Sequence, residues 1–289
     1  MSKSTGARKA EIEPESAGTQ ALNRGRVAIV TGAGRGIGRA MTLGLAQAGI
    51  RVVATSARER AEIDAVAAEA GTDMVLAVLA DVTREADVQR VVASTLERFG
   101  HLDILVNNAG RGMKYVSESF MTEPTRFWEV EPETWRMVID TNVNGPFLMA
   151  RAATPHMARA GWGRMVNISM SRSTMRRAGF SPYGPSKAAL ESETAIWAQD
   201  LGGTGVTVNA LLPGGATLTG MIPDAFPESA RTRLLDPAIM VPPLLWLVSS
   251  AADAITGCRV IANQWDNGNP LAATEGAGWG DEATRQRTT

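Results

Sequence analysis

A single cysteine, Cys258, and two histidines, His101 and His156, leave little from which to build a disulfide or a metal centre. One thiol makes neither an intrachain disulfide nor a cysteine-based zinc site. The two imidazoles lie far apart in sequence without metal-ligand spacing, so no metal is expected. An excess of one charge is also lacking: 29 Lys and Arg residues stand against 30 Asp and Glu, a net charge of −1. A nucleic-acid binder normally shows a basic excess or stripe, so no nucleic-acid partner is expected. Long hydrophobic runs are absent too. The longest, near 241–248, is short and contains Pro242 and Pro243, and the first 24 residues are polar with no apolar signal core. Membrane spanning and secretion are therefore disfavoured, and a cytoplasmic location is expected.

What the chain does have is 289 residues with 44% hydrophobic and 20% charged side chains. That composition excludes wholesale disorder and allows a large core around one sheet. Short apolar, β-branched runs at 27–31, 51–55, 74–80, 103–106, 164–168, 206–211 and 259–262 alternate with longer helical patterns. This alternation predicts βαβ units: one α/β domain over 25–265, with seven parallel strands and helices on both faces. Ile37, Ala40, Met41, Gly44, Leu45 and Ala48 recur at helical spacing, with Gly49 as a stop. Residues 1–24 read as a mobile tail, and 266–289, rich in Pro, Gly and Asn, as an irregular one.

Two segments carry chemistry. After the first strand, Thr31-Gly32-Ala33-Gly34-Arg35-Gly36-Ile37-Gly38 leads into a helix. Its glycines let backbone N–H groups approach a pyrophosphate, and the helix N-terminus favours an anion. The spacing is T-G-x-x-x-G-x-G, not G-x-G-x-x-G; close packing alone is the alternative reading. Asp81, followed by Val82, ends the third run, where it either borders an adenine or caps the segment opening at Thr83. Further on, Tyr183-Gly184-Pro185-Ser186-Lys187 sets a phenol and an ammonium at i and i+4 on one helix face. A cation there favours the phenolate and lowers the phenol toward working pH, as a general acid or base requires.

Taken together, Thr31 to Gly38, Asp81, Asn107-Asn108-Ala109-Gly110, Asn142, Tyr183-x-x-x-Lys187 and Pro213-Gly214 resemble the short-chain dehydrogenase/reductase family in order and rough spacing. The resemblance spans about 26–262. It implies a Rossmann-like domain with strand order 3-2-1-4-5-6-7, a nicotinamide cofactor and a homodimer or homotetramer. By position, Tyr183 would be the general acid/base and Lys187 would hold the nicotinamide ribose. Asn142 would anchor a relay water; Asn108, Ala109 and Gly110 would form the cofactor wall, and Pro213-Gly214 would border the nicotinamide.

The chain departs from the family in three places. The second catalytic hydroxyl, a serine thirteen residues before the tyrosine in the family, is Met170 here, flanked by Ser169 and Ser171. Methionine cannot donate a hydrogen bond to a developing alkoxide. Ser171, in the loop after the strand, is the preferred substitute over Ser169 at the strand's end. Between Gly110 and Asn142 the chain is longer than the family pattern and holds Met113, Tyr115, Phe120, Met121, Phe127 and Trp128. This insertion near 111–132 reads either as an apolar lid over a bulky substrate or as a subunit contact. Arg172, Arg176 and Arg177 receive a substrate carboxylate or form a solvated face. Finally, Asn263-Gln264-Trp265-Asp266 stands where the family has Asp-Gly-Gly.

Cofactor choice is read at the end of the second strand. Ser56, Ala57 and Arg58 offer no carboxylate against a 2′-phosphate there, and Arg35 lies in the glycine turn, so NADP(H) is favoured over NAD(H). The expected activity is hydride transfer between that cofactor and a small-molecule secondary alcohol or ketone, bulky or aromatic. The alternatives are an acyl-thioester ketoreductase and a cofactor-binding redox sensor impaired by Met170.

Overall fold

The computed structural model describes residues 25–224 and 226–278. The tail expected at 1–24 lies outside the described residues, as do 279–289. Seven strands alternate with helices as the hydrophobic runs predict. In chain order they are β1 Val27–Val30, α1 Gly36–Gln47, β2 Arg51–Ser56, α2 Arg60–Ala70, β3 Val75–Leu79, α3 Glu85–Phe99 and β4 Ile104–Asn107. Then come α4 Pro132–Ile139, α5 Gly145–Ala160, β5 Gly163–Ile168, α6 Arg172–Met175, α7 Tyr183–Asp200, β6 Val206–Leu212, α8 Glu228–Arg231, α9 Val241–Leu247 and β7 Cys258–Ile261.

The sheet order is β3-β2-β1-β4-β5-β6-β7-β8, with the first seven strands parallel. The eighth, β8 Thr274–Gly276, corrects the sequence expectation of an irregular end. It runs antiparallel to β7 with Cys258 opposite Gly276 and Arg259 opposite Glu275. Strand formation here owes little to local propensity, since Thr-Glu-Gly is a poor strand sequence; pairing with β7 and two arginine anchors hold it.

Alternation along each strand divides the core in two. Ala28, Val30, Val52 and Val106 face Met41 and Leu45 of α1 and Leu244 and Val248 around α9. Val27, Ile29, Val53 and Leu105 face Val88 and Val91 of α3 and Met149, Ala153 and Met157 of α5. Burial on both faces explains why the strands read as continuous apolar runs. Because the strands are parallel, the segments that leave their carboxyl ends converge on one edge of the sheet. Where the order reverses, between β1 and β4, a crevice opens there.

Candidate active site

One cleft of about 760 Å³ runs along that edge. At one end lie Gly32, Arg35, Gly36, Ile37, Gly38, Ser56, Arg58, Asp81 and Val82; Asn108, Ala109 and Gly110 form its middle; Ser169, Met170, Ser171, Tyr183, Lys187 and Pro213 form the other end. The fold thus brings together nearly all the residues singled out from the sequence, drawn from six strand exits.

The glycine turn is built for close approach. Gly36 sits at φ +53, a conformation that side chains avoid, and a Cβ there would press on Thr219. At Gly38 a Cβ would lie 2.1 Å from the Gly32 carbonyl oxygen, so its role is packing of α1 against the turn. Thr31 ties the turn to β4: its Oγ1 accepts from the backbone N–H groups of Asn108 and Ala109, each at 3.0 Å. Asn108 Nδ2 returns bonds to the carbonyls of Thr31 and Gly32 at 2.8 and 2.9 Å. A segment after Pro213 roofs this region, with Thr219 against Gly36, Gly220 beside Arg35 and Met221 beside Gly112.

Several of these residues are also tied into the scaffold. Gly214 lies between Pro213 and Gly215, both of which line the cleft. Its φ is +86, and the Asn263 side chain fills the place of its missing Cβ. Asn142 lies in a π-helical turn, Asp140–Asn144, and is fully buried. Its Oδ1 accepts from Arg111 N at 2.8 Å, and its Nδ2 donates to Arg111 O at 3.0 Å and Ser186 Oγ at 2.9 Å. The side chain is spent holding the 110–111 backbone against α7. Asp81 Oδ1 accepts from Thr83 N and Oγ1 at 3.0 and 2.8 Å, the local capping role. Ser169 borders the cleft, but its hydroxyl donates to buried Glu191 Oε1 at 2.7 Å.

Ser171 is different. As N-cap of α6, at φ −65 and ψ 140, it makes no capping bond, and its Oγ lies 2.9 Å from Thr174 Oγ1 on the cleft wall. Thr174 was not singled out from the sequence, although S-x-x-T across a helix start was there to be seen. Arg172 is turned to the β8 end, where it donates to the carbonyls of Gly276 and Gly278 at 2.6 and 3.0 Å. Arg177 does border the cleft.

Tyr183 opens α7, and Lys187 lies one turn on, its Nζ 5.9 Å from the phenol ring centre. Lys187 is buried and donates to Ile168 O at 2.7 Å. Burial pushes the Tyr183 phenol up to about 12, opposite to the lowering expected from the ammonium. Burial also pulls Lys187 down to about 8, with the Glu191 carboxylate opposing that fall. The 111–132 insertion supplies Met113, Lys114, Tyr115, Phe120 and Met121 to the cleft. It docks on the segment before Tyr183 through an edge-on Phe120–Phe180 contact at 5.9 Å and a Thr125 Oγ1 bond to Gly179 O at 2.9 Å.

Two glutamates also reach the outer end of the cleft. Glu59 and Glu62, near the start of α2, line its outer end, and Glu62 Oε1 lies 3.5 Å from Arg35 Nη1. Sequence reasoning, confined to residues 56–58, missed both. Among the described residues no group of three or more His, Cys, Asp or Glu is arranged to hold a metal, and no helix is long and apolar enough to cross a membrane.

A family model described as short chain dehydrogenase matches residues 26–229. A 3-oxoacyl-[acyl-carrier-protein] reductase of Synechocystis is 38% identical over 191 residues, covering 65% of this chain and 73% of its own. The short chain dehydrogenase mpl6 of Monascus purpureus is 32% identical over 89% of this chain and 87% of its own. Among solved structures, a 3-ketoacyl-(acyl-carrier-protein) reductase of Brucella melitensis complexed with NADH superposes with a TM-score of 0.72 at 34% identity. That match covers 82% of this chain and 96% of the other.

Proposed function

The chain belongs to the short-chain dehydrogenase family, and from that premise we propose that it is an NADP(H)-dependent oxidoreductase interconverting a ketone and a secondary alcohol. The observation that carries this reading is one continuous cleft, with a glycine turn fit for a pyrophosphate at one end and Tyr183, Lys187 and Ser171 at the other. The chemistry a bound nicotinamide would supply here is hydride transfer to the ketone carbon, or from the carbinol carbon. Tyr183 delivers its phenolic proton to the substrate oxygen in reduction and withdraws it in oxidation. A phenol held near 12 is fully protonated at neutral pH, which suits it to the reductive direction. Ser171 donates a hydrogen bond to the same oxygen, and the Lys187 ammonium holds the ribose hydroxyls and steadies the tyrosinate left behind. Met113, Phe120, Met121, Met170 and Phe180 give the substrate end an apolar, aromatic wall that favours a bulky ketone. Phe147 on α5 and Ile196 on α7, 48% and 51% exposed, support a homo-oligomer built on the long helices.

A second reading, reduction of a 3-oxoacyl thioester, is favoured by the names of the Synechocystis and Brucella relatives. Nicotinamide absorbance with a panel of aryl ketones, 3-oxoacyl thioesters and sugars separates the two. Silence toward every substrate, with cofactor still bound, would leave the redox-sensor reading.

Lys187 sets an alkaline limit. Its charged form exists below about pH 8 and is lost above it, so the kcat of ketone reduction should fall as pH rises through that value. A profile flat from about pH 6 to about pH 10 would remove Lys187 from the reaction.

Cofactor preference rests on Arg35 and Arg58 at the outer end, set against Glu59 and Glu62. NADP(H) should give the higher kcat/KM; a tenfold preference for NAD(H) would overturn the assignment. Glu62→Gln frees Arg35 from its carboxylate partner and removes a charge that repels a 2′-phosphate. The NADP(H)-to-NAD(H) ratio should then rise roughly tenfold; an unchanged ratio would show that Glu62 takes no part in the choice.

A further inference from the structure

Tyr183, Lys187 and Glu191 stand at i, i+4 and i+8 on one face of α7, and the third of these has no part in the reaction described above. Glu191 is 2% exposed, as is Arg259 of β7, and the two meet at 3.1 Å through Nε and Oε1. A pair buried this deeply gains little net stability over apolar side chains of the same volume, because both charges lose their water. What it supplies is direction.

The same Glu191 oxygen accepts the Ser169 hydroxyl at 2.7 Å. The Arg259 fork donates through Nη2 to the Met170 carbonyl at 2.9 Å and through Nη1 to Glu275 at 3.1 Å. Glu275 is the cross-strand neighbour of Arg259 and also meets Arg172 at 3.5 Å. Arg172 in turn donates to the carbonyls of Gly276 and Gly278. The residues on both sides of Ser171 are therefore fastened to the β7–β8 edge, Met170 by its carbonyl and Arg172 by its guanidinium. Ser169 is fastened to α7, the helix that carries Tyr183. Ser171 alone in this run keeps its hydroxyl on the cleft wall, shared only with Thr174.

We propose that Glu191 and Arg259 form a positioning pair that clamps the strand exit at 169–170, so that Ser171 supplies the hydroxyl that Met170 cannot. The clamp accounts for three otherwise separate facts: a serine whose hydroxyl is turned away, a methionine at the usual hydroxyl position, and an arginine inside a strand that is otherwise Cys, Val and Ile. It rests on the assignment of Tyr183 and Ser171 to ketone reduction. Neither Glu191 nor Arg259 lines the cleft; both act through the backbone they hold, and the Glu191 carboxylate also favours the charged form of Lys187, an effect that Arg259→Lys leaves in place.

The test uses the full chain and a ketone the parent reduces. Glu191→Gln/Arg259→Met removes both charges and so leaves neither buried without a partner. Its kcat should fall about 10²-fold, the scale of a misplaced reacting group, with NADPH affinity unchanged by fluorescence titration. Arg259→Lys keeps a cation beside Glu191 but cannot also reach Met170 and Glu275. It serves if the double variant does not fold, and its kcat should fall about tenfold with the same unchanged affinity. Parent-like kcat in either folded variant overturns the proposal, and so does a kcat loss matched by an equal loss of NADPH affinity, which would mark a merely structural pair. Tyr183→Phe is run alongside. If it stays active, the reading of the site is what fails; if it is dead while the clamp variants work normally, only the clamp fails.

Discussion

Tyr183→Phe is expected to lower kcat about 10²–10⁴-fold, the usual contribution of a positioned general acid, while the cofactor still binds. The substitution removes one oxygen and leaves the ring that borders the cleft. The neighbouring Lys187 keeps its bond to Ile168 O, so the ribose-binding side of the site is undisturbed. The chain has two tyrosines, and the other, Tyr115, borders the same cleft from the insertion with the Arg111 guanidinium 4.8 Å from its ring centre, so Tyr115→Phe is the control. Steady-state kinetics with a fluorescence titration of NADPH reads both quantities. Full activity in the variant would show that the proton comes from elsewhere and that the proposed mechanism is wrong.

The second large effect separates two serines two positions apart. Ser171→Ala should cost about 10²–10³-fold in kcat, the scale of one lost donor to a developing oxyanion, with little change in thermal stability, since its hydroxyl meets only Thr174. Ser169→Ala should do the reverse. It removes a bond to a buried carboxylate, about 1.5–3 kcal/mol for a hydrogen bond to a charged group, while the Arg259 bond to the Met170 carbonyl still holds the strand exit and Ser171 in place. Melting curves and kcat for the two variants therefore move on opposite axes. If Ser169→Ala lost turnover with Tm unchanged, Ser169 would be the donor and the assignment to Ser171 would fall.

The parts legible in the sequence were those whose chemistry depends on local spacing. Tyr183 and Lys187 share a helix turn, the glycines of 32–38 share one loop, and the seven apolar runs match β1 to β7 within a residue or so at most ends. What stayed hidden depends on pairing across the chain. Glu191 and Arg259 lie 68 residues apart, and nothing local marks a glutamate on a helix or an arginine in a strand as partners. Glu62 reaches Arg35 only because α2 folds back beside the glycine turn. The Thr274–Gly276 strand has no propensity to announce it and exists because β7 offers an open edge. Asn142 and Gly214 stand in the order the family pattern implies, yet their side-chain and Cβ positions meet packing partners, Arg111 and Asn263, that sequence order does not indicate.

The roof formed by Thr219, Gly220 and Met221 imposes a kinetic consequence. The same short stretch leans on the glycine turn at Gly36 and on the substrate side at Gly112, so it cannot uncover one compartment while sealing the other. Any opening of this roof would therefore expose both compartments together, on the microsecond-to-millisecond scale of such loop motions.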